Sequence, residues 1–91
     1  NIAQRNRLGA LLGQNDEYQR AAEEFRAILN RDSAYAPAWN NLGNVEFILG
    51  NFDTAEKSYN QALYHNPFSR GTYLNLAILY QMMIAGASPQ D

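Results

Sequence analysis

The sequence contains no cysteine. Disulfides and thiolate metal sites are thereby excluded, and the redox compartment stays open. No apolar run reaches the roughly 18 residues of a membrane-crossing helix, and no signal peptide is visible. A formal net charge of −2 argues against both a nucleic-acid surface and a polybasic membrane anchor. The single histidine, His65, has no second His, Cys or carboxylate at i+3 or i+4. Gly9 and Gly13 fall inside a helical pattern with no strand before them, so they make no phosphate loop. The expectation is a chain without catalytic residues, metal or cofactor.

What is present is a modest apolar fraction, 46% of 91 residues, enough for one small domain or part of a larger array. The chain starts at Asn1 rather than Met and stops at Asp91 soon after an apolar segment. It reads as a fragment or processed product. The least helix-like stretch is WNNLGN, residues 39–44, because Asn and Gly are weak helix formers. Yet apolar residues flank it at helical spacing.

The explanation lies in self-similarity. Leu8-Gly9, Leu42-Gly43 and Leu76-Ala77 are separated by two equal steps of 34 residues (42 − 8 and 76 − 42). Ala21 and Phe25 recur as Ala55 and Tyr59, Tyr18 as Phe52, Leu29 as Leu63, and Trp39 as Tyr73. The spacing Trp-x2-Leu-Gly, then Ala-x3-aromatic, then Pro, resembles the tetratricopeptide-repeat family. The second unit carries it most fully in Trp39, Leu42, Gly43, Gly50, Ala55, Tyr59, Ala62 and Pro67. The resemblance implies an all-α, right-handed superhelical solenoid with five helices and about two and a half repeats. One domain would cover 1–91: repeat one at about 2–35, repeat two at 36–69, a partial third at 70–84, and a frayed tail at 85–91.

Apolar periodicity predicts the same helices. Ile2, Leu8, Leu11 and Leu12 form a stripe over about 2–14, and Tyr18, Ala21, Ala22, Phe25, Ile28 and Leu29 form another over 18–29. Pro37 sits in the first turn of a third helix ending near Leu49, before the Gly50-Asn51 turn. Asp53 with Glu56 reads as a capping box for a fourth helix, which ends near His65 ahead of Pro67. A fifth spans about Arg70 to Ile84. Gly43 and Gly9 let a neighbouring helix approach closely, and Trp39 and Tyr73 are large enough to wedge between successive helix pairs. Glu23, Glu24, Arg20 and Arg26 read as a solvated face. Glu46 stands where the family usually has Tyr, and is expected to tilt to the rim and pair with a basic residue.

Function is expected on the concave side, which the first helices of such a stack line. The resemblance implies a non-enzymatic protein-interaction module that takes a peptide or amphipathic helix of another protein there. Carried over position by position, its groove comprises Asn6, Arg7, Asn40, Asn41, Asn44, Phe47, Ile48, Leu74, Asn75, Ile78 and Met82. A carboxamide both donates and accepts, so Asn41 and Asn75, one repeat apart, are suited to holding extended backbone. The bland alternative is that they are merely a good surface solution. Phe47, Ile48, Leu74, Ile78 and Met82 offer an apolar patch that either meets a partner or packs on the next helix.

Relatives that clamp a C-terminal carboxylate use Lys and Arg where this chain has Asn6, Gly71 and Asn75, with Ala10 and Asn41 at the remaining clamp positions. The lone lysine, Lys57, falls on a second helix. No chaperone-type carboxylate clamp is expected. A rival role is structural: Leu76, Leu79, Tyr80 and Met83 on the last helix would form a self-association face, or meet the continuation of a longer array. Catalysis elsewhere in a parent chain is a further rival. Localisation is not legible.

Overall fold

Asn1 opens the chain by accepting the Gln4 N–H on its side-chain oxygen at 2.9 Å, an N-cap that satisfies one of the first turn's free donors. A computed structural model describes residues 1–86. Its five helices are α1 (Ile2–Gln14), α2 (Tyr18–Arg31), α3 (Ala36–Ile48), α4 (Phe52–His65) and α5 (Arg70–Gly86). No strand occurs among the described residues. Each helix packs on the next, and the first helices of successive pairs also touch, α1 on α3 and α3 on α5. The result is an all-α solenoid, 47 × 28 × 18 Å in extent.

The turns repeat as faithfully as the helices. Gly50 closes α3 at φ +85°, a left-handed conformation that costs glycine nothing. The matching residue in the first hairpin is Asp16, at φ 63°, the one described non-glycine residue with positive φ. Between hairpins, Asp32 accepts the Ala34 N–H at 3.0 Å and Asn66 accepts the Phe68 N–H at 3.3 Å, one repeat apart. These side-chain turns start the next helix pair.

Two local expectations fail. Asp53 is not the N-cap of α4: the helix begins at Phe52, Asn51 holds the cap position, and no side chain caps it. Asp53 lies in the first turn, where its charge faces the positive end of the helix dipole. At the far end, Ala85 and Gly86 continue α5 instead of fraying. The rest of that expected tail, 87–91, lies outside the described residues.

Packing explains the glycines. A Cβ on Gly43 would stand 2.7 Å from two carbons of the Tyr59 ring, and one on Gly9 would stand 2.6 Å from Phe25. A second-helix aromatic ring thus packs against first-helix backbone in both hairpins, and any larger residue would push it away. Leu42 and Val45 of α3 join Ala21, Ala22, Phe25 and Ile28 of α2 in one core cluster. Leu76 and Leu79 of α5 join Ala55 and Tyr59 of α4 in another. Trp39 packs beside the first cluster and donates its indole N–H to the Ser33 carbonyl at 2.7 Å. Tyr73 copies the bond, to the Pro67 carbonyl at 3.1 Å, but stays half exposed and does not wedge between pairs.

The stripe expected on α1 is only partly core. Leu12 is buried, whereas Leu8 and Leu11 lie exposed, because α2 covers only the Leu12 side of α1 among the described residues. Glu46 does not reach the rim either. It is buried between α3 and α4, where the Ser58 hydroxyl donates to its carboxylate at 2.6 Å. The charged face of α2 is also less simple than expected. Glu24 reaches across to Arg5 of α1 at 3.4 Å, and Arg20 pairs with Glu17 at 2.7 Å.

Candidate functional site

Helices α1, α3 and α5 stand side by side, and their inward residues form the candidate groove. Ile48 of α3 and Leu74, Ile78 and Met82 of α5 are 54%, 65%, 49% and 47% exposed, large apolar side chains left uncovered on two first helices that touch. Leu74, Ile78 and Met82 follow one another at i, i+4 and i+8, so they share one side of α5. Phe47 is half buried and stacks on Phe52 of α4, with centroids 5.5 Å apart. Arg7 is exposed at the α1 end.

The asparagines have partners, and that was not legible in the sequence. Asn41 of α3 donates its amide to the Asn6 side-chain oxygen of α1 at 3.1 Å. Asn75 of α5 donates in the same way to Asn40 of α3 at 3.0 Å. Each rung links the sixth place of one unit to the fifth place of the unit before it. Asn40 accepts a second bond, from the Thr72 hydroxyl at 2.9 Å, and that hydroxyl also meets Ser69 at 2.8 Å. Asn44 accepts the buried Tyr59 hydroxyl. A structural role therefore accounts for all five asparagines of the candidate set: they tie first helices to one another, or to the second helix of their own hairpin.

These bonds do not exhaust the amides. Asn41 and Asn75 each spend one N–H on a rung, which leaves a second N–H and the carbonyl oxygen of each outside it. Leu74 occupies the fifth place in the third unit and carries no acceptor, so the polar row gives way to an apolar one on α5. Charge is nearly absent: Arg7 is the one ionisable residue among the groove positions named.

Of the face proposed for self-association, Leu76 and Leu79 are buried, 7% and 0% exposed. They fill the cluster with Ala55 and Tyr59, because α5 packs on α4 just as α3 packs on α2. Met83 is half buried beside that cluster, and Tyr80, 40% exposed, donates its hydroxyl to Glu56 at 2.6 Å. That carboxylate bond raises the Tyr80 phenol above its ordinary pKa, with slight burial adding to the shift.

The polar core beneath the groove is titratable. Burial raises the Glu46 carboxyl above its usual range, while the Ser58 hydroxyl and the charge of Arg26 oppose that shift. Burial, and then the Glu46 charge, push the Tyr59 phenol up to about 12. Both groups point into the α3–α4 interface, which gives them a structural setting. Among the described residues no three His, Cys, Asp or Glu gather as a metal site. His65 ends α4 with its ring edge-on to Tyr64, 5.0 Å away.

Sequence reasoning passed over a cavity of about 300 Å³ between α1 and α3, bordered by Gly9, Gly13, Tyr18, Phe25, Asn41 and Ile48. Its signal was in the repeat: Gly13 stands where the second unit has Phe47.

Known proteins place the chain. It is 31% identical over 75 residues, 80% of its length, to the general transcriptional corepressor trfA of Dictyostelium discoideum. It is 38% identical over 53 residues, 58% of its length, to the protein bimA of Emericella nidulans. The chain spans only 5% of the first relative and 7% of the second. Its fold is similar to the first TPR of Spaghetti (RPAP3) bound to HSP90 peptide SRMEEVD, with a TM-score of 0.86. That likeness covers 92% of this chain and 67% of the other at 17% identity, and it speaks for the fold alone. Residues 36–69 match the family model described as Tetratricopeptide repeat, and the chain belongs to the tetratricopeptide-repeat family.

Proposed function

We propose that this chain is a non-catalytic protein-interaction module whose concave groove takes a peptide or helix of another protein. The uncovered side chains of Ile48, Leu74, Ile78 and Met82 carry the reading. Four large apolar side chains about half exposed on adjacent first helices form a patch that water solvates poorly and an apolar ligand face would cover. The unspent amide groups of Asn41 and Asn75 border that patch and are suited to backbone contact. The solved neighbour, which is bound to a peptide, supports a polypeptide ligand in general.

The acidic peptide of that neighbour is a poor fit here. A carboxylate needs charge-assisted donors, and the corresponding places hold Asn6, Ala10, Asn41, Gly71 and Asn75. An apolar or amphipathic segment suits a neutral groove better. The rival, self-association through α5, rests on less, since Leu76 and Leu79 belong to the core and Tyr80 is bonded to Glu56.

The test uses substitutions that alter the groove without touching a rung. Leu74→Asp with Ile78→Asp should abolish capture of a protein partner while the melting temperature stays within a few degrees of wild type. Tyr80→Glu should leave capture intact. If capture survives the first pair and fails with Tyr80→Glu, the groove reading is wrong and the end-face reading takes its place.

A further inference from the structure

The two full hairpins answer the same packing problem differently at one place, and the difference leaves a hole. In the second, the Phe47 ring stacks on Phe52 with centroids 5.5 Å apart and an interplanar angle of 29°. It also packs beside Ala55, Tyr59 and Leu79. Subtracting the repeat gives Gly13 and Tyr18 in the first hairpin. Gly13 has no ring to offer, and a Cβ added there would meet nothing within 4 Å. The Tyr18 ring is held in place from its far end, where its hydroxyl donates to Asp16 at 2.8 Å.

The space left is the cavity of about 300 Å³, which opens to the groove. Size is no obstacle to a ring, since an apolar cavity of roughly 150 Å³ already accommodates benzene. Its inner wall is apolar, made by Phe25 and Val45. No charged residue lines it. Asn41 and Asn44 stand at its rim, each with an amide N–H not spent on its structural bond.

We propose that this cavity receives a phenylalanine side chain of the partner polypeptide, its ring resting on Tyr18 as Phe47 rests on Phe52. The proposal rests on the reading of the chain as a protein-interaction module. Asn41 and Asn44 then meet the backbone of the inserted residue. Phenylalanine is favoured over tyrosine by the second hairpin itself. There the buried Tyr59 hydroxyl has Asn44 as its acceptor, whereas the matching pair in the first hairpin is Phe25 and Ala10, and the Phe25 and Val45 side chains of the inner wall carry no acceptor. A buried hydroxyl without a partner is costly.

The test titrates isotope-labelled protein with the blocked pentapeptide Ala-Ala-Phe-Ala-Ala, and with versions carrying Ala or Tyr at the centre. Backbone amide shifts should concentrate at Gly13, Tyr18, Asn41 and Val45, with the Phe peptide binding at least about tenfold tighter than the Ala peptide. Gly13→Phe, which builds the second hairpin's solution into the first, should erase these shifts while keeping or raising the melting temperature. Should that variant not fold, Tyr18→Ala must weaken the Phe peptide and leave the Ala peptide unchanged. Equal shifts from the Phe and Ala peptides overturn the proposal, as does binding that survives Gly13→Phe. Shifts confined to Leu74, Ile78 and Met82 would remove the pocket and leave the module reading standing. Silence everywhere would remove the pocket, and loss of partner capture with Leu74→Asp and Ile78→Asp would then decide the module reading separately.

Discussion

Leu8 and Leu42 are the same residue at the same place in successive hairpins, yet Leu8 is 47% exposed and Leu42 only 4%. The neighbours differ, not the side chains: Leu42 joins the α2 core cluster, and Leu8 does not. The contrast continues deeper in the hairpins. The first closes with Leu12, Gly13 and Phe25, the second with Glu46, Phe47 and Tyr59. One interior is apolar with a hole in it; the other is filled and threaded with hydrogen bonds from Tyr59 to Asn44 and from Ser58 to Glu46. A repeat therefore conserves backbone geometry and leaves the chemistry of its interior free to diverge.

The largest test of that contrast is at the paired leucines. Leu42→Ala should destabilise the fold by about 2–5 kcal/mol, and Leu8→Ala by less than about 0.5 kcal/mol. Denaturant melts of both variants check this, and equal losses would mean that Leu8 is covered in solution. Next come the glycines. Gly43→Ala should cost about 1–3 kcal/mol, because the ring above it is anchored through its hydroxyl and has nowhere to move. Gly9→Ala should cost less, since Phe25 is untethered and borders the cavity.

The rungs offer a middle-sized contrast. Asn40→Ala removes an acceptor shared by Thr72 and Asn75, so it should lose about 1–3 kcal/mol. Asn6→Ala removes a single bond and should lose about 0.5–1.5 kcal/mol. At the turns, Gly50→Ala should cost about 1–2 kcal/mol for left-handed backbone. Asp16→Gly should change stability little, as relief at φ 63° is offset by the lost bond to Tyr18.

The smallest effect is on pH. Burial raises the Glu46 carboxyl in the folded state, so folding favours its protonated form. Stability from this group is fully present below the ordinary carboxylate pKa and falls as pH rises through the raised folded value. Glu46→Gln keeps an acceptor for Ser58 and should remove that part of the pH dependence, giving a slightly more stable protein at neutral pH. Thermal melts at pH 4.5 and pH 7 measure it, and an unchanged slope would place the titration elsewhere.

Much of this architecture was legible beforehand, for identifiable reasons. A step of 34 residues linking Leu8, Leu42 and Leu76 fixes which helices are equivalent. Gly43 and Ala55 in the same register imply a close helix–helix contact. The asparagine rungs escaped notice because their donors and acceptors sit 35 apart, one residue out of step with the repeat. Matching like with like never pairs them. Glu46 was misplaced because its partner is an uncharged hydroxyl on another helix, a bond no charge pattern reveals. Leu76 and Leu79 read as surface when the last helix is taken by itself, and α4 is what covers them.

The rungs also bear on how tightly a ligand could be held. Two amide cross-ties already fix the spacing of α1, α3 and α5 before anything arrives. A guest of the proposed groove would meet a wall already ordered, so that more of the contact energy would survive as affinity.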